Sequence, residues 1–189
     1  TDNTVGRARE LGLKVFEDNR KLHGIGYGFA HMTGMEKATG DIIITADGDG
    51  TYPVDQTAPM IDLIIDNKFD FISGSRYPLM DGTKIPFKLR LGVETLNLEA
   101  RILYGHPFKD ILSGMWVFKS DVPEKLKLKM GDWNMSPEVK IKAFQNPEVR
   151  FFEYPIPQNN RLGATKQNHF KTGFSHLLWI LKYRFQSLF

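Results

Sequence analysis

Cysteine is absent from all 189 residues, and the chain also lacks both a dense basic run and a long apolar run. Without cysteine no disulfide can form, which fits a cytosolic setting. A net charge of +3 without a clustered basic stretch is too weak for a nucleic-acid footprint, so we expect no nucleic-acid partner. No apolar run reaches the roughly 18 residues of a membrane-spanning helix. What remains is one globular domain, 41% hydrophobic, that can bury a core.

Short apolar segments alternate with longer amphipathic ones in the first half of the chain. Strands are predicted at KVFED (14–18), DIIITAD (41–47) and FDFISGSR (69–76), with helices at 4–12, 26–40 and 52–67. Strands separated by helices of this length indicate βαβ units and a parallel sheet. The second half predicts helices at 87–105, 122–127 and 136–146, and a strand at 148–156.

Two acids stand at the end of a predicted strand, in ITADGDGTYP (44–53). Asp47 and Asp49 repel each other there, so a compensating charge is expected. Ligands of parallel sheets lie beyond the carboxyl ends of the strands, and Arg76 ends the next predicted strand. A divalent cation, Mg²⁺ or Mn²⁺, held by both carboxylates would supply that charge. The alternative is a turn rich in Asp and Gly that merely ends the strand.

Two further features have both a binding and a structural interpretation. GYGFA (26–30) could cradle a phosphate at a helix N-terminus, with Gly26 near a donor, or it could be a tight loop whose glycines allow close packing. Arg76 is suited to bidentate contact with a phosphate, or it could form a surface ion pair.

The first residues, TDNTVGRARELG, have the character of a strand-to-helix turn with no strand before them. We therefore expect an upstream apolar strand that would lie beside the strand predicted at 14–18.

Five blocks in the chain together resemble the family 2 glycosyltransferases. They are TDNT, GYGFAHMTGMEKATGDIIITADGDGTYP, DFISGSR, DILSGMWVF and EYPIPQNNRLGATK. Among these enzymes the blocks are most similar to the polyprenyl-phosphate sugar synthases, such as dolichyl-phosphate mannose synthase. The resemblance implies a GT-A fold, an α/β nucleotide-sugar-binding fold with a mostly parallel sheet flanked by helices and here without its first strand.

The resemblance also implies an activity. The expected reaction is metal-dependent, inverting transfer of a hexose from a nucleotide diphosphate sugar to a polyprenyl phosphate at the cytoplasmic face of a membrane. The residues implied are Asp110 and Arg76 for catalysis, Asp2, Gly26, Asp47 and Asp49 for the donor, Asp47 and Asp49 for the metal, and Arg161 and Lys166 for the acceptor phosphate.

Several alternatives stay open. The acceptor could be a glycan or another hydroxyl, or the chain could be an inactive nucleotide-sugar-binding module. Because an acceptor phosphate is already ionised, Asp110 could cap a turn and orient Arg76 instead of acting as a base. Glu138 could likewise serve the N-terminus of its own helix. The Q-x-x-R-W block of processive synthases is absent.

The last segment, 169–189, combines an apolar stripe with basic and aromatic residues and contains no acid. We predict a glycosyltransferase domain at 1–168 followed by an amphipathic helix at 169–189 that can lie in a membrane interface. The alternative is an ordinary helix that covers the sheet.

Overall fold

The computed structural model describes residues 3–80, 83, 85–163, 165 and 167–186. Within them the elements, in chain order, are α1 (Thr4–Glu10), α2 (Tyr27–Lys37), β1 (Ile42–Thr45), α3 (Thr57–Ile65), β2 (Phe71–Ser75), α4 (Phe87–Tyr104), β3 (Trp116–Lys119), α5 (Val122–Leu126), α6 (Met135–Gln145), β4 (Phe151–Pro155) and α7 (His169–Gln186). A 3-10 turn, Val54–Gln56, precedes α3.

The four strands form one sheet in the order β1-β3-β2-β4. β2 and β4 pair in parallel, with Ile72 opposite Phe152, whereas β3 is antiparallel to both β1 and β2. β1, β2 and β4 therefore run in one direction. The predicted α/β sheet is present, with one reversed strand inserted between β1 and β2.

The strand predicted at KVFED (14–18) is wrong, since this segment pairs with no strand of the described residues. The last residue of the segment, Asp18, is instead held by hydrogen bonds of its carboxylate. One Asp18 oxygen accepts the Arg20 backbone N–H at 2.9 Å, and the Arg20 guanidinium and the Thr33 hydroxyl bind the same carboxylate. Phe16 is about half exposed, so the apolar spacing of the segment buries little. Alternation predicts a strand only where a neighbouring strand can complete its hydrogen bonds.

Helices cover both faces of the sheet. Phe71, Trp116 and Phe118 point to one face, where they pack with residues of α2, α5 and α6. Ile72 and Val117 point to the other face and pack with α3. Successive residues of β2 and β3 thus serve opposite sides of the sheet, which explains why these strands are buried on both faces.

A third cluster joins α4, α6 and α7 beside the sheet. Its buried members include Leu96, Ala100, Ile141 and Ile180. Because Ile180 is fully buried, α7 is a packing helix along one face. The apolar stripe of the last segment stays exposed on another face of α7, so its contact with a membrane interface remains a prediction.

Candidate active site

Three strand ends place the candidate site at one edge of the sheet. Because β1, β2 and β4 run in the same direction, their carboxyl ends share that edge, and β3 begins there. Asp47 and Asp49 follow β1, and Arg76 follows β2 directly. The segment after β4 returns to the same place, where Asn159 donates its backbone N–H to the Thr51 carbonyl at 3.0 Å. Ligands of open α/β sheets bind at such an edge.

The carboxylates of Asp47 and Asp49 differ in their hydrogen-bond and ion-pair partners. One Asp49 oxygen accepts the Thr51 backbone N–H at 2.9 Å, and the other lies 2.9 Å from Nη1 of Arg161. The Asp47 carboxylate has no hydrogen-bond or ion-pair partner among the described residues. Burial raises the pKa of Asp47, the Asp49 carboxylate raises it further, and the nearby arginines do not fully offset these effects.

These two acids fit a divalent cation. Their oxygens are the hard ligands that Mg²⁺ and Mn²⁺ prefer, and a cation would remove the repulsion that raises the Asp47 pKa. Within the described ranges, no group of three or more His, Cys, Asp or Glu residues could hold a metal. Two carboxylates fill only part of an octahedral coordination shell, so positions would stay open for oxygens of a ligand or of water.

Arg161 lies beside the paired acids, on the loop that follows β4. Its ion pair with Asp49 is accompanied by a backbone bond from Leu162 N–H to the Asp49 carbonyl at 2.8 Å. The Arg161 side chain is 46% exposed, so it can turn towards a ligand. Its predicted contact with an acceptor phosphate remains a prediction. The other predicted acceptor residue, Lys166, and the donor residue Asp2 lie outside the described residues.

Arg76 and Asp110 form a bidentate ion pair in the interior. Nε and Nη2 of Arg76 donate to the two Asp110 oxygens at 2.6 and 2.9 Å, and the Arg76 backbone N–H adds a third bond at 3.0 Å. The Asp110 side chain is fully buried. Burial alone would raise its pKa, but the Arg76 charge outweighs burial and holds the pKa below its ordinary value.

This geometry bears on the role of Asp110. Both carboxylate oxygens are engaged by Arg76 and neither reaches solvent, an arrangement that suits orientation of the guanidinium better than proton abstraction. Two nitrogens of the Arg76 guanidinium are fixed by Asp110, while the third, Nη1, has no bond to Asp110. The alternative interpretation of Asp110, orientation of Arg76, is thus the one that the geometry favours.

The first turn of α2 packs closely against the loop that precedes α6. The N–H groups of Gly28 and Phe29 both donate to the Gly131 carbonyl, at 2.9 and 3.3 Å. A Cβ at Gly28 would overlap the Met130 carbonyl, so glycine is required there. These contacts agree with the packing interpretation of GYGFA. Gly26 is the N-cap residue of α2, and its donor contact remains a prediction.

Tyr52 and Gly114 belong to the site, although the sequence assigned them no role. The Gly114 N–H donates to the Tyr52 hydroxyl at 2.7 Å, and the Gly114 carbonyl accepts from the Thr45 hydroxyl at 3.2 Å. A Cβ at Gly114 would overlap the Tyr27 hydroxyl. These contacts tie the loop after β1 to the start of β3. The only signal in the sequence was that both residues stand in blocks typical of the family.

Glu138 lies away from the paired acids. Its carboxylate accepts the backbone N–H groups of Lys129 and Met130, at 3.0 and 2.8 Å, and pairs with Lys142 at 2.7 Å. It therefore fixes the loop at residues 129–130, and it does not serve the N-terminus of α6, where Asn134 is the N-cap residue and no side chain of the described residues caps the helix.

A family model described as Glycosyl transferase family 2 matches residues 1–127. The chain therefore belongs to glycosyl transferase family 2, which confirms the resemblance of its sequence blocks. Two similar proteins come from Haloferax volcanii. The low-salt glycan biosynthesis hexosyltransferase Agl6 is 27% identical, over 96% of this chain and 43% of its own length. A dolichyl-phosphate hexose transferase is 27% identical, over 91% of this chain and 72% of its own length.

Solved structures show the same fold. Glucosyl-3-phosphoglycerate synthase from Mycobacterium tuberculosis, in complex with Mn²⁺, uridine diphosphate and phosphoglyceric acid, superposes with a TM-score of 0.71 at 16% identity. That match covers 97% of this chain and 64% of the synthase chain. This likeness confirms the predicted GT-A fold. The chain thus spans less than half of Agl6 and about two thirds of the synthase.

Proposed function

We propose that this chain carries the donor site of a metal-dependent, inverting hexosyltransferase that uses a nucleotide diphosphate sugar and a polyprenyl phosphate. The observation that carries the proposal is the pair Asp47 and Asp49 at the end of β1, at the same sheet edge as Arg76, in a member of glycosyl transferase family 2. The similar dolichyl-phosphate hexose transferase supports the choice of acceptor.

Asp47 and Asp49 would hold Mg²⁺ or Mn²⁺, and the Mn²⁺ in complexes of the M. tuberculosis synthase supports this choice. When bound, such a cation neutralises the charge that develops on a leaving diphosphate. Arg76 would contact a phosphate through the part of its guanidinium that Asp110 leaves unoccupied. Asp110 acts through Arg76 as a positioning residue, because a phosphate acceptor is already ionised and requires no base.

A donor screen followed by an acceptor comparison tests this function. Thermal unfolding of the full-length protein with Mn²⁺ is measured in the presence of UDP-glucose, UDP-galactose, UDP-N-acetylglucosamine and GDP-mannose. We expect one donor to raise the unfolding temperature only when Mn²⁺ is present. Transfer of that sugar should then occur to dolichyl phosphate and not to dolichol. Transfer to a hydroxyl acceptor alone, or no transfer at all, would contradict the proposal.

A polyprenyl substrate requires access to a membrane surface. Among the residues that the structure describes, no helix is both long and apolar enough to cross a bilayer. Two helices nevertheless keep exposed apolar stripes at spacings of three, four and seven residues. On α7 the exposed residues are Phe170, Phe174, Leu178, Leu181 and Phe185, and on α4 they are Phe87, Leu91, Leu98 and Ile102. We propose that these stripes place the protein at the membrane interface, where Lys171 and Lys182 add cationic charge.

This membrane contact yields a prediction. In flotation with anionic vesicles at low salt, the double variant Phe174→Asp/Leu181→Asp should lose most of the floated fraction, because two exposed apolar contacts become charged. The fold should be retained, since both side chains are solvent-exposed. The control is Val54→Asp/Ile65→Asp, which charges two exposed apolar residues away from α7, one in the 3-10 turn before α3 and one at the end of α3. Equal flotation of both double variants would show that the stripe of α7 does not bind the membrane.

A further inference from the structure

The loop that carries Asp110 is fixed by buried side chains on almost every backbone polar group. Most of these bonds come from three side chains that are at least 95% buried, namely Asn97, Lys140 and Glu153. The bonds run from Arg101 Nε to the Phe108 carbonyl (2.6 Å), from the Lys109 and Asp110 N–H groups to Glu153 (2.7 and 3.0 Å), from Asn97 Nδ2 to the Lys109 carbonyl (2.7 Å), from the Ile111 N–H to Asn97 Oδ1 (2.9 Å), and from Lys140 Nζ to the Asp110 carbonyl. Loops are seldom held so completely, because most of them lie in water.

Lys140 and Glu153 hold this loop from opposite sides. Lys140, on α6, donates to a carbonyl, while Glu153, on β4, accepts two N–H groups. With Arg76 and Asp110 they make two buried cations and two buried anions, so the set is neutral. Burial lowers the pKa of Lys140 to about 8, against the opposing effect of the Asp110 and Glu153 carboxylates. Burial also raises the pKa of Glu153.

A group of four buried charged side chains is not needed to stabilise a protein core. Apolar residues of similar volume commonly replace buried ionic groups at no cost in stability, since burial removes charges from water. The Lys140 and Glu153 side chains do, however, determine where the Asp110 backbone lies. The Asp110 carboxylate in turn determines the plane and reach of the Arg76 guanidinium.

We propose that Lys140 and Glu153 are positioning residues that hold the 108–111 loop and, through Asp110, set Arg76 for the transfer reaction. The inference rests on the function proposed above, because Arg76 is the group through which both residues act. Lys140 and Glu153 are both buried, so we expect them to affect turnover through Arg76 and not by touching a substrate.

The test uses full-length protein, the donor identified in the screen and dolichyl phosphate. Lys140→Met should lower kcat/KM on the order of 10- to 100-fold, because small displacements of a positioned group have effects of this size. Lys140→Met/Glu153→Gln restores neutrality and should unfold near the wild-type temperature while still turning over slowly. Binding of UDP with Mn²⁺ should be unchanged in both, because Asp47 and Asp49 remain in place.

A double-mutant cycle separates positioning from general damage. In an Arg76→Lys background, Lys140→Met should cause little further loss of kcat/KM, since its effect acts through the guanidinium. Lys142→Met is the matched control, because Lys142 lies on the same helix but bonds Glu138 and the Lys127 carbonyl. It should keep wild-type kcat/KM. Fully additive losses in the cycle, or an equal loss in Lys142→Met, would overturn the proposal.

Hydrogen exchange gives a readout that does not depend on turnover. The amides of residues 109–111 should exchange faster in Lys140→Met, and those of β1 should not. If this loop loosens but the wild-type protein transfers no sugar, the proposed function is wrong and the positioning of the loop stands. Unchanged exchange at 109–111 would show that Lys140 does not hold the loop.

Discussion

Asp49→Asn should abolish Mn²⁺-dependent binding of the nucleotide sugar while the protein remains folded. Asparagine keeps an oxygen that can accept the Thr51 N–H, so the turn after β1 should survive. The substitution removes one of the two charges that would hold the cation, and a neutral amide is a weak ligand for Mg²⁺ or Mn²⁺. The ion pair with Arg161 is also lost, but half-exposed pairs contribute at most ~1 kcal/mol.

The measurement is the Mn²⁺-dependent shift of the unfolding temperature with donor, compared with and without a chelator. Asp55→Asn provides the matched control, since Asp55 lies six residues further on, in the 3-10 turn, and its carboxylate accepts a hydrogen bond from the Gln56 side chain. This control should bind the donor as the wild type does. Asp49→Asn could instead bind the donor with full affinity and lose that affinity when the chelator is added. The metal would then have to be held by other residues.

Local patterns predicted much of the fold. The helices α2, α3, α4 and α7 lie inside segments predicted from periodicity and from glycine or proline boundaries, and α6 begins one residue before its predicted segment. The acids after β1 and the arginine after β2 were also placed correctly at strand ends. Such features depend on neighbours in the sequence, and for this reason a single sequence indicates them.

Pairing between distant segments was harder to predict. The antiparallel insertion of β3 between β1 and β2 depends on how the chain returns after α4, and strand spacing carries no information on that path. The same holds for KVFED (14–18), whose pattern suits a strand but whose Asp18 bonds Arg20 and Thr33 instead. In both cases the outcome depends on which partner a segment finds, and the pattern of the segment itself does not show that partner.

The positioning groups of the site illustrate a second kind of difficulty. Lys140 and Lys142 are two residues apart in SPEVKIKAFQN and look equivalent in sequence. Only the packing of α6 shows that Lys140 is fully buried at the Asp110 carbonyl and that Lys142 bonds a different loop. A buried charge is recognisable only after its partners are known, and here Asp110 and Glu153 are 30 and 13 residues away.

Asp110→Asn should both destabilise the protein and slow the transfer. The substitution leaves the Arg76 guanidinium largely buried beside a neutral amide, and breaking a buried ion pair in this way typically costs ~3–5 kcal/mol. The two bonds that fix the guanidinium would not both survive, because an amide offers one acceptor oxygen instead of two. With Arg76 less well oriented, kcat/KM should fall by a factor on the order of 100.

The pH dependence of stability follows from the same pair. Because the Arg76 charge holds the pKa of Asp110 below its ordinary value, the ion pair contributes its full stability above pH ~4. That contribution is lost as the pH falls through the pKa of the folded state. The wild type should therefore lose stability on acidification more steeply than Asp110→Asn does, as measured by urea unfolding between neutral and acidic pH.

A second aspartate–arginine pair supplies the control for Asp110→Asn. Asp70 accepts two bonds from the Arg150 guanidinium, at 2.7 and 2.8 Å, but it precedes β2 and lies at the opposite edge of the sheet. Asp70→Asn should lower stability without lowering kcat/KM once the protein is folded. A general-base role for Asp110 predicts the same loss of stability, because the ion pair is broken either way, but a further large loss of kcat/KM when Asp110→Asn is added to Arg76→Lys, since a base acts independently of the guanidinium. Loss of both stability and turnover in Asp110→Asn, with loss of stability alone in Asp70→Asn, is the result that positioning of Arg76 requires.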